Sequence, residues 1–278
     1  MPLFKRCDGA LIERPNPVRA IMPYLMRGRN ESIAYSDTVF DLSKTRPWLE
    51  EFNRGRPPGE HATIFHLVVW ASARIMHERP GLNRFVSGLR LYQRDKVTLS
   101  FAAKKEFNDK SPITTIKLEF ARGEPFAECV KRIRSAVGEG RSGPERPVDK
   151  EVRLVMMLPG FVLKAATSLL RWLDSHNMMP DSMIKSDPMY ASVFLANVGS
   201  LGVDAAFHHL YEWGTIGLFG VVGNIKKHVF ITEDNRTEVR DAVLVRWSFD
   251  ERVNDGFYCA RSLDLARSYI EDPAKHTA

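Results

Sequence analysis

Near the C-terminus, an apolar, β-branched run from Ala242 to Phe249 breaks abruptly at Asp250-Glu251-Arg252. Asp255-Gly256 then opens a segment carrying Ala260, Leu263, Leu265, Ala266 and Ile270 at helical spacing. The run predicts a buried strand, the break a tight turn, and the Asp-Gly pair a capped helix start. A chain with this order must pack a helix back against the sheet it has just left. The charged residues of the turn are thereby presented at the strand end, where side chains commonly reach a cleft.

The rest of the chain is read around that junction. Residues 1–16 are charged and hold Pro15, with Pro17 next, and are expected to form an N-terminal arm. A helix is predicted over Val18 to Arg29, a strand over Ile33 to Leu42, and a short helix capped by Ser43 through Trp48 and Phe52. His61 to Glu78 is apolar around most of its circumference and should be a buried helix. His66 and His77 on it are read as satisfied core or rim histidines. Phe85–Tyr92, Val97–Phe107 and Ile113–Phe120 read as an antiparallel meander with charged turns. Phe126 to Val137 is an amphipathic helix with Cys129 and Ile133 inward, and Gly138 to Val148 is a loop. Leu154 to Leu173 is helical, and its Met156-Met157 pair, like Met178-Met179 beyond it, is read as gap-filling in a core or interface. Ala191 to Ala196 is a strand running into the glycine-punctuated Asn197-Val-Gly-Ser-Leu-Gly202. Thr215 to Val222 is another strand, and Lys227–Thr232 with Ala242–Phe249 a hairpin. No repeat or linker divides residues 17–278, so a single domain of mixed, largely antiparallel sheet with flanking helices is expected.

Composition narrows the function classes. The charge is +6, from 40 basic and 34 acidic residues, and the basic residues are scattered. A nucleic-acid reader would show a denser stripe, whereas a mildly basic surface suits a phosphate-bearing ligand. Cys7, Cys129 and Cys259 are far apart, with no CxxC pair, so neither a zinc site nor a disulfide framework is indicated. A reducing, cytoplasmic setting fits. The N-terminus has no signal-peptide core, and the run Leu154 to Leu163 is too short for the ~20 residues of a membrane span.

Phe249-Asp250-Glu251-Arg252-x-x-Asp255-Gly256 resembles the Asp-His-Arg-x-x-Asp-Gly signature of the dihydrolipoyl acyltransferase catalytic cores of 2-oxo acid dehydrogenase complexes and their relative chloramphenicol acetyltransferase. Val193-Phe-Leu-Ala-Asn-Val-Gly-Ser-Leu-Gly202 is similar to the family's Phe-Thr-Ile-Ser-Asn-Leu-Gly loop. Pro17-Val-Arg-Ala-Ile-Met resembles its opening helix, Ile216 to Gly223 its Ala-Ile-Leu-Gly-Val strand, and Tyr269-Ile-Glu-Asp-Pro273 its Glu-Asn-Pro ending. The resemblance implies a homotrimer, possibly built into a larger cage, with each site between two subunits. It implies coenzyme A as substrate, no metal, and an acyl carrier or small acceptor entering from the opposite side. In that family a histidine deprotonates the attacking thiol or hydroxyl, a serine bonds the oxyanion, and the Asp of Asp-Gly holds local structure.

Asp255 and Asn197 are retained here, but Glu251 stands for the histidine and Ala196 for the serine. The resemblance makes Glu251, Asp255 and Asn197 the catalytic candidates, with Ala196, Gly199 and Ser200 at the substrate. His208 and His209 follow the glycine loop and are candidates for a replacement base, for a metal ligand pair without a visible third ligand, or for bonds to loop backbone at a subunit contact. Glutamate near pKa 4.3 lies about two units further than histidine from a thiol near 8.5, roughly 3 kcal/mol less favourable for proton transfer. Losing an oxyanion donor typically costs about 3 kcal/mol more, unless Ser192, Ser200 or Ser248 supplies a hydroxyl. Arg252 is expected to lower the Glu251 pKa if the two pair. No lipoyl or subunit-binding segment is recognised ahead of the core, so a stand-alone acyltransferase is expected. The alternative is a trimeric scaffold or acyl-CoA-binding protein that has lost the chemistry.

Overall fold

The computed structural model describes residues 4–104, 113–142 and 157–277. Two 14-residue strands, β8 (Leu218–Ile231) and β9 (Thr237–Asp250), dominate it as one long antiparallel hairpin. They sit inside a six-stranded mixed sheet, β2 (Ile33–Asp41), β9, β8, β7 (Val193–Asn197), β5 (Val97–Lys104) and β6 (Ile113–Phe120), in that spatial order. β7 runs parallel to both neighbours and every other pair is antiparallel. The alternation of β9 sorts the two faces. Val243, Val245 and Trp247 enter the main core beneath the helices, while Leu244 joins Phe194, Phe219 and Val221 on the other face.

The helical layer holds α2 (Thr45–Asn53), α3 (Ile64–Glu78), α4 (Phe126–Ser142) and α7 (Gly256–Glu271). α3 lies at its centre. Leu67, Val68, Val69, Trp70, Ala71 and Met76 are all buried, as a helix apolar all round requires. It begins at Ile64 rather than His61 because Thr63 and His66 form a reciprocal capping box, with the Thr63 amide donating to His66 Nδ1 at 3.1 Å. His77 is likewise satisfied, its Nε2 lying 2.9 Å from the Phe120 carbonyl.

His66 gives a pH prediction. Burial, with the positive charge of Arg134, lowers its pKa from 6.5 to about 4, and Nδ1 must stay unprotonated to accept the capping bond. The unfolded chain therefore binds more protons between those two values. The stabilisation is complete above pH ~6.5 and is lost as pH falls toward 4, by about 1.4 kcal/mol per unit within that window. Denaturant midpoints at pH 7 and pH 5 should differ more in the wild type than in His66→Gln, which keeps the capping box without the imidazole.

The expected meander divides differently. The segment read as one strand, Phe85–Tyr92, is a tight hairpin of β3 (Arg84–Ser87) and β4 (Arg90–Arg94). Gly88 and Leu89 at its tip both have positive φ, 54° and 62°, as a two-residue turn matching strand twist requires. β4 also pairs with β1 (Gly9–Leu11), so these strands form a separate three-stranded sheet. The segment expected to be an arm is thus tied down, and buried Arg6 bonds Asp8, Ser87 and Asp174. Ser43 does not cap α2, because its amide and hydroxyl donate to Asp41. α1 (Pro17–Leu25) ends four residues before Arg29, whose guanidinium is buried against the carbonyls of Tyr211 and Glu212. α4 runs on through Gly138 to Ser142, where a loop is expected. Of the Met-rich segment, α5 (Gly160–Ser175) is described, whereas Leu154–Met156, the far end of the expected strand to Phe107 and most of the expected loop lie outside the described residues. Met179 is buried with Ile184 of α6 (Asp181–Ser186), whereas Met157 and Met178 are exposed.

Candidate active site

β9 extends one residue beyond the apolar run, to Asp250, and that residue organises the turn. Its carboxylate accepts from the Arg252 amide (3.1 Å), from Arg252 Nε (2.8 Å) and from Arg252 Nη2 (2.7 Å). The Ser32 hydroxyl lies 3.0 Å from the same Oδ1. Arg252 therefore pairs with Asp250, and the pairing with Glu251 that the sequence left open does not form. Both side chains are almost fully buried, and the guanidinium also donates to the carbonyls of Met26 and Arg27. A two-pronged, desolvated pair of this kind fixes geometry as well as charge.

The rest of the turn is held on every side. The Glu251 amide donates to the Ser32 carbonyl (2.9 Å), and the Glu251 carbonyl accepts from Arg19 Nη1 of α1 (2.6 Å). Val253 packs with Val86 and Leu91 of the small sheet, and Asn254 donates to the Gly81 carbonyl. Asp255 caps α7 by accepting from the Tyr258 amide (2.8 Å), and Arg19 Nη2 approaches its other oxygen at 3.6 Å. Only one side chain of the turn is left without a role in holding it. The half-buried Glu251 carboxylate makes no hydrogen bond or ion pair among the described residues. A free carboxylate on a rigid support is what a proton-transferring group needs.

The second cluster lies elsewhere. Asn197 ends β7, where its carboxamide oxygen faces the Ser200 amide at 3.3 Å, and the Ser200 hydroxyl donates to the Asn197 carbonyl at 3.0 Å. Gly199 sits where a Cβ would meet the Gly223 carbonyl oxygen at 2.1 Å, so glycine is required for the loop to lie against β8. Ala196 is half-buried beside it. Of the hydroxyls that could replace the expected serine, Ser192 accepts from the Thr98 amide and Ser248 donates to the His208 carbonyl, both deeply buried. Ser200 alone of the three is exposed.

These clusters do not meet within one protomer. Asn197 lies opposite Val222 on β8, and Val222 opposite Val245 on β9. From Val245 to the strand end at Asp250 is five residues, about 17 Å at strand spacing. His208 and His209 occupy the ground between. The segment after the glycine loop crosses the face of the sheet away from the helices, with His208 stacked on Phe219 (4.0 Å, 6°) and on His209 (4.6 Å). Each ring reaches loop backbone, His208 Nδ1 to the His209 carbonyl (2.7 Å) and His209 Nδ1 to that of Leu210 (3.0 Å). Partial burial holds His208 below the usual imidazole pKa, so at neutral pH it is uncharged. Among the described residues no group of three or more His, Cys, Asp or Glu is placed to hold a metal, and no helix is long and apolar enough to cross a membrane.

Sequence reasoning singled out Glu251 and Asp255 but passed over their braces, Arg19, Ser32 and Asp250. The available signal was Arg19, a lone arginine among the apolar residues of α1.

Residues 181–278 match the profile of the family described as 2-oxoacid dehydrogenases acyltransferase (catalytic domain). A search of curated proteins gives no match. Solved structures resemble the whole chain. A probable dihydrolipoamide acetyltransferase from Listeria monocytogenes 4b F2365 superposes with a TM-score of 0.63 at 17% identity, over 97% of this chain and 98% of its own. The cubic core of a pyruvate dehydrogenase multienzyme complex gives 0.62 at 13% identity, over 99% of each chain. A chloramphenicol acetyltransferase gives 0.56 at 12% identity, over 95% of this chain and 98% of its own. The mixed sheet with its flanking helices is therefore that of the chloramphenicol acetyltransferase-like acyltransferase cores.

Proposed function

We propose that this chain, which has the fold of the dihydrolipoamide acetyltransferase cores and of chloramphenicol acetyltransferase, is an acyltransferase moving an acyl group between coenzyme A and a small thiol or hydroxyl acceptor. The observation that carries the reading is the Glu251 carboxylate, unpartnered among the described residues on a turn whose every other group is braced. In the reaction Glu251 takes the proton from the acceptor's S–H or O–H. The resulting anion attacks the thioester carbonyl and forms a tetrahedral adduct. Collapse of the adduct breaks the bond to the coenzyme A sulfur, which recovers the proton from Glu251. Ser200, turned from the Asn197 carbonyl, is the hydroxyl for the developing oxyanion, and Asp255 with Arg19 keeps the base in place.

The register, which sets the loop level with Val245, five residues before the end of β9, supports a site completed by a neighbouring copy. So does the uncovered apolar surface beside the loop, where Leu201, Val203, Phe207 and Tyr35 are each about half exposed. We read the assembly as a homotrimer, the arrangement that the family resemblance implies, whether or not it builds further into a cage. A cytoplasmic, reducing setting is part of the same reading.

Incubation of the purified chain with acetyl-CoA and a panel of thiol and hydroxyl acceptors, dihydrolipoamide first, tests it. Transfer that depends on both substrates is expected. One observation favours a second reading, an acyl-CoA-binding scaffold: no hydroxyl stands at Ala196. Tight coenzyme A binding without turnover on any acceptor would select that reading.

A further inference from the structure

A cavity of about 370 Å³ opens where the β3–β4 tip, the end of α5, the α1–β2 connection and residues 212–214 converge. Glu251, Asn197 and Ser200 are not among its walls. Four arginines are, Arg27, Arg29, Arg171 and Arg252, against two carboxylates, Asp174 and Glu212. Both carboxylates are already engaged. Asp174 accepts from Arg6 (2.9 Å) and Ser87 (3.3 Å), and Glu212 from the amides of Arg29 (3.2 Å) and Asn30 (2.9 Å). Of the four arginines, Arg252 alone has an ion pair among the described residues, with Asp250. The side chains of Arg27 and Arg171 are exposed and bond nothing among those residues. Arg29 is 7% exposed, and its guanidinium donates only to the carbonyls of Tyr211, Glu212 and Val86. Taking a charge out of water without a counter-ion is strongly unfavourable. Burial pushes the Arg29 pKa down, and Arg252 adds to the effect against the pull of Asp250 and Glu212.

Tyr190 is an independent sign at the same place. It is 2% exposed and lines the cavity, and its hydroxyl makes no hydrogen bond among the described residues. A buried tyrosine hydroxyl ordinarily has a partner. Burial, with the charge of Asp174, raises its pKa, so the hydroxyl keeps its proton and can donate. The walls thus offer unused donors and positive charge, with every carboxylate already bonded.

We propose that this cavity binds a small oxyanion, a phosphoryl or carboxylate group, at a site separate from the acyl-transfer site. Guanidinium forks match the paired oxygens of both groups. The ligand supplies the counter-charge that Arg29 lacks and an acceptor for Tyr190, while Arg27 and Arg171 hold it from the solvent side. The site does not depend on the acyl-transfer reading, since none of the groups named in that reaction lines it.

Calorimetry on the full chain at fixed ionic strength tests this, with inorganic phosphate and succinate as probes over a chloride background. Saturable binding of at least one is expected, and the tighter of the two names the group. Tyr190→Phe should weaken that binding about tenfold, the usual effect of losing a hydrogen bond to a charge, and leave the denaturant midpoint of the ligand-free chain unchanged. Arg27→Gln with Arg171→Gln, both at exposed positions, should weaken it by at least about tenfold. Saturating coenzyme A should leave the probe's affinity unchanged. Absence of saturable binding for both probes, an affinity unaltered in either variant, or competition by coenzyme A would overturn the assignment.

Discussion

Replacing Asp250 by alanine should destabilise the protein by about 3–5 kcal/mol, the usual result of removing one partner of a buried pair. Arg252 would remain 3% exposed with its carboxylate gone, and buried Arg29, which feels the Asp250 charge, would lose a counter-charge. For a chain of this size that free energy corresponds to a fall in Tm of roughly 10 °C. Asp250→Ala combined with Arg252→Met should recover part of the loss, because the uncompensated guanidinium is removed with its partner. Equal denaturant midpoints for wild type and Asp250→Ala would refute the account of the turn. By contrast Glu251→Gln should leave stability within about 0.5 kcal/mol of wild type, since its carboxylate holds nothing in place.

Glu251→Gln should nonetheless lower kcat for acyl transfer by about 10²–10⁴, the usual contribution of a positioned base. Glutamine keeps the shape of the side chain and cannot accept the proton. The loss should appear in kcat with little change in the KM for the thioester, because the group acts on the acceptor's proton rather than on the donor's grip. Carboxylates as a class are weaker bases toward a thiol than imidazoles. Acceptors with more acidic S–H groups should therefore be preferred, with kcat rising as the acceptor pKa falls.

How much of this was legible in the chain follows from what local pattern can encode. The β9–α7 junction was readable because an apolar run, a charged break and an Asp-Gly start are local, and Asp255 is indeed the cap. The pairing inside the break was not. Neighbouring Glu251 and Arg252 look like partners in the sequence, but the ladder runs on through Ile33–Asp250, and the chain then turns back so that Arg252 meets the Asp250 carboxylate. The division into two sheets was equally hidden. Periodicity marks Phe85–Tyr92 as extended, yet nothing in Ser-Gly-Leu-Arg announces that Leu89 takes a positive φ and folds the segment on itself. The long β8–β9 hairpin was read as separate pieces because the bulge between Val222 and Ile225 absorbs Gly223-Asn224, a pair that otherwise signals a turn. The distance between the Asn197 loop and Glu251 is a property of register, which depends on pairings far apart in sequence.

That distance leads to the most direct test, the mixing of two variants in one assembly. Glu251→Gln and Ser200→Ala chains, each measured alone, are expected to be nearly inactive. Co-expressed at equal amounts in a trimer whose sites each take Glu251 from one copy and the loop from the next, about a quarter of the sites combine two intact halves. The account predicts recovery of about a quarter of wild-type activity on that basis. A mixture no more active than its parents, or a Ser200→Ala chain fully active by itself, would contradict it.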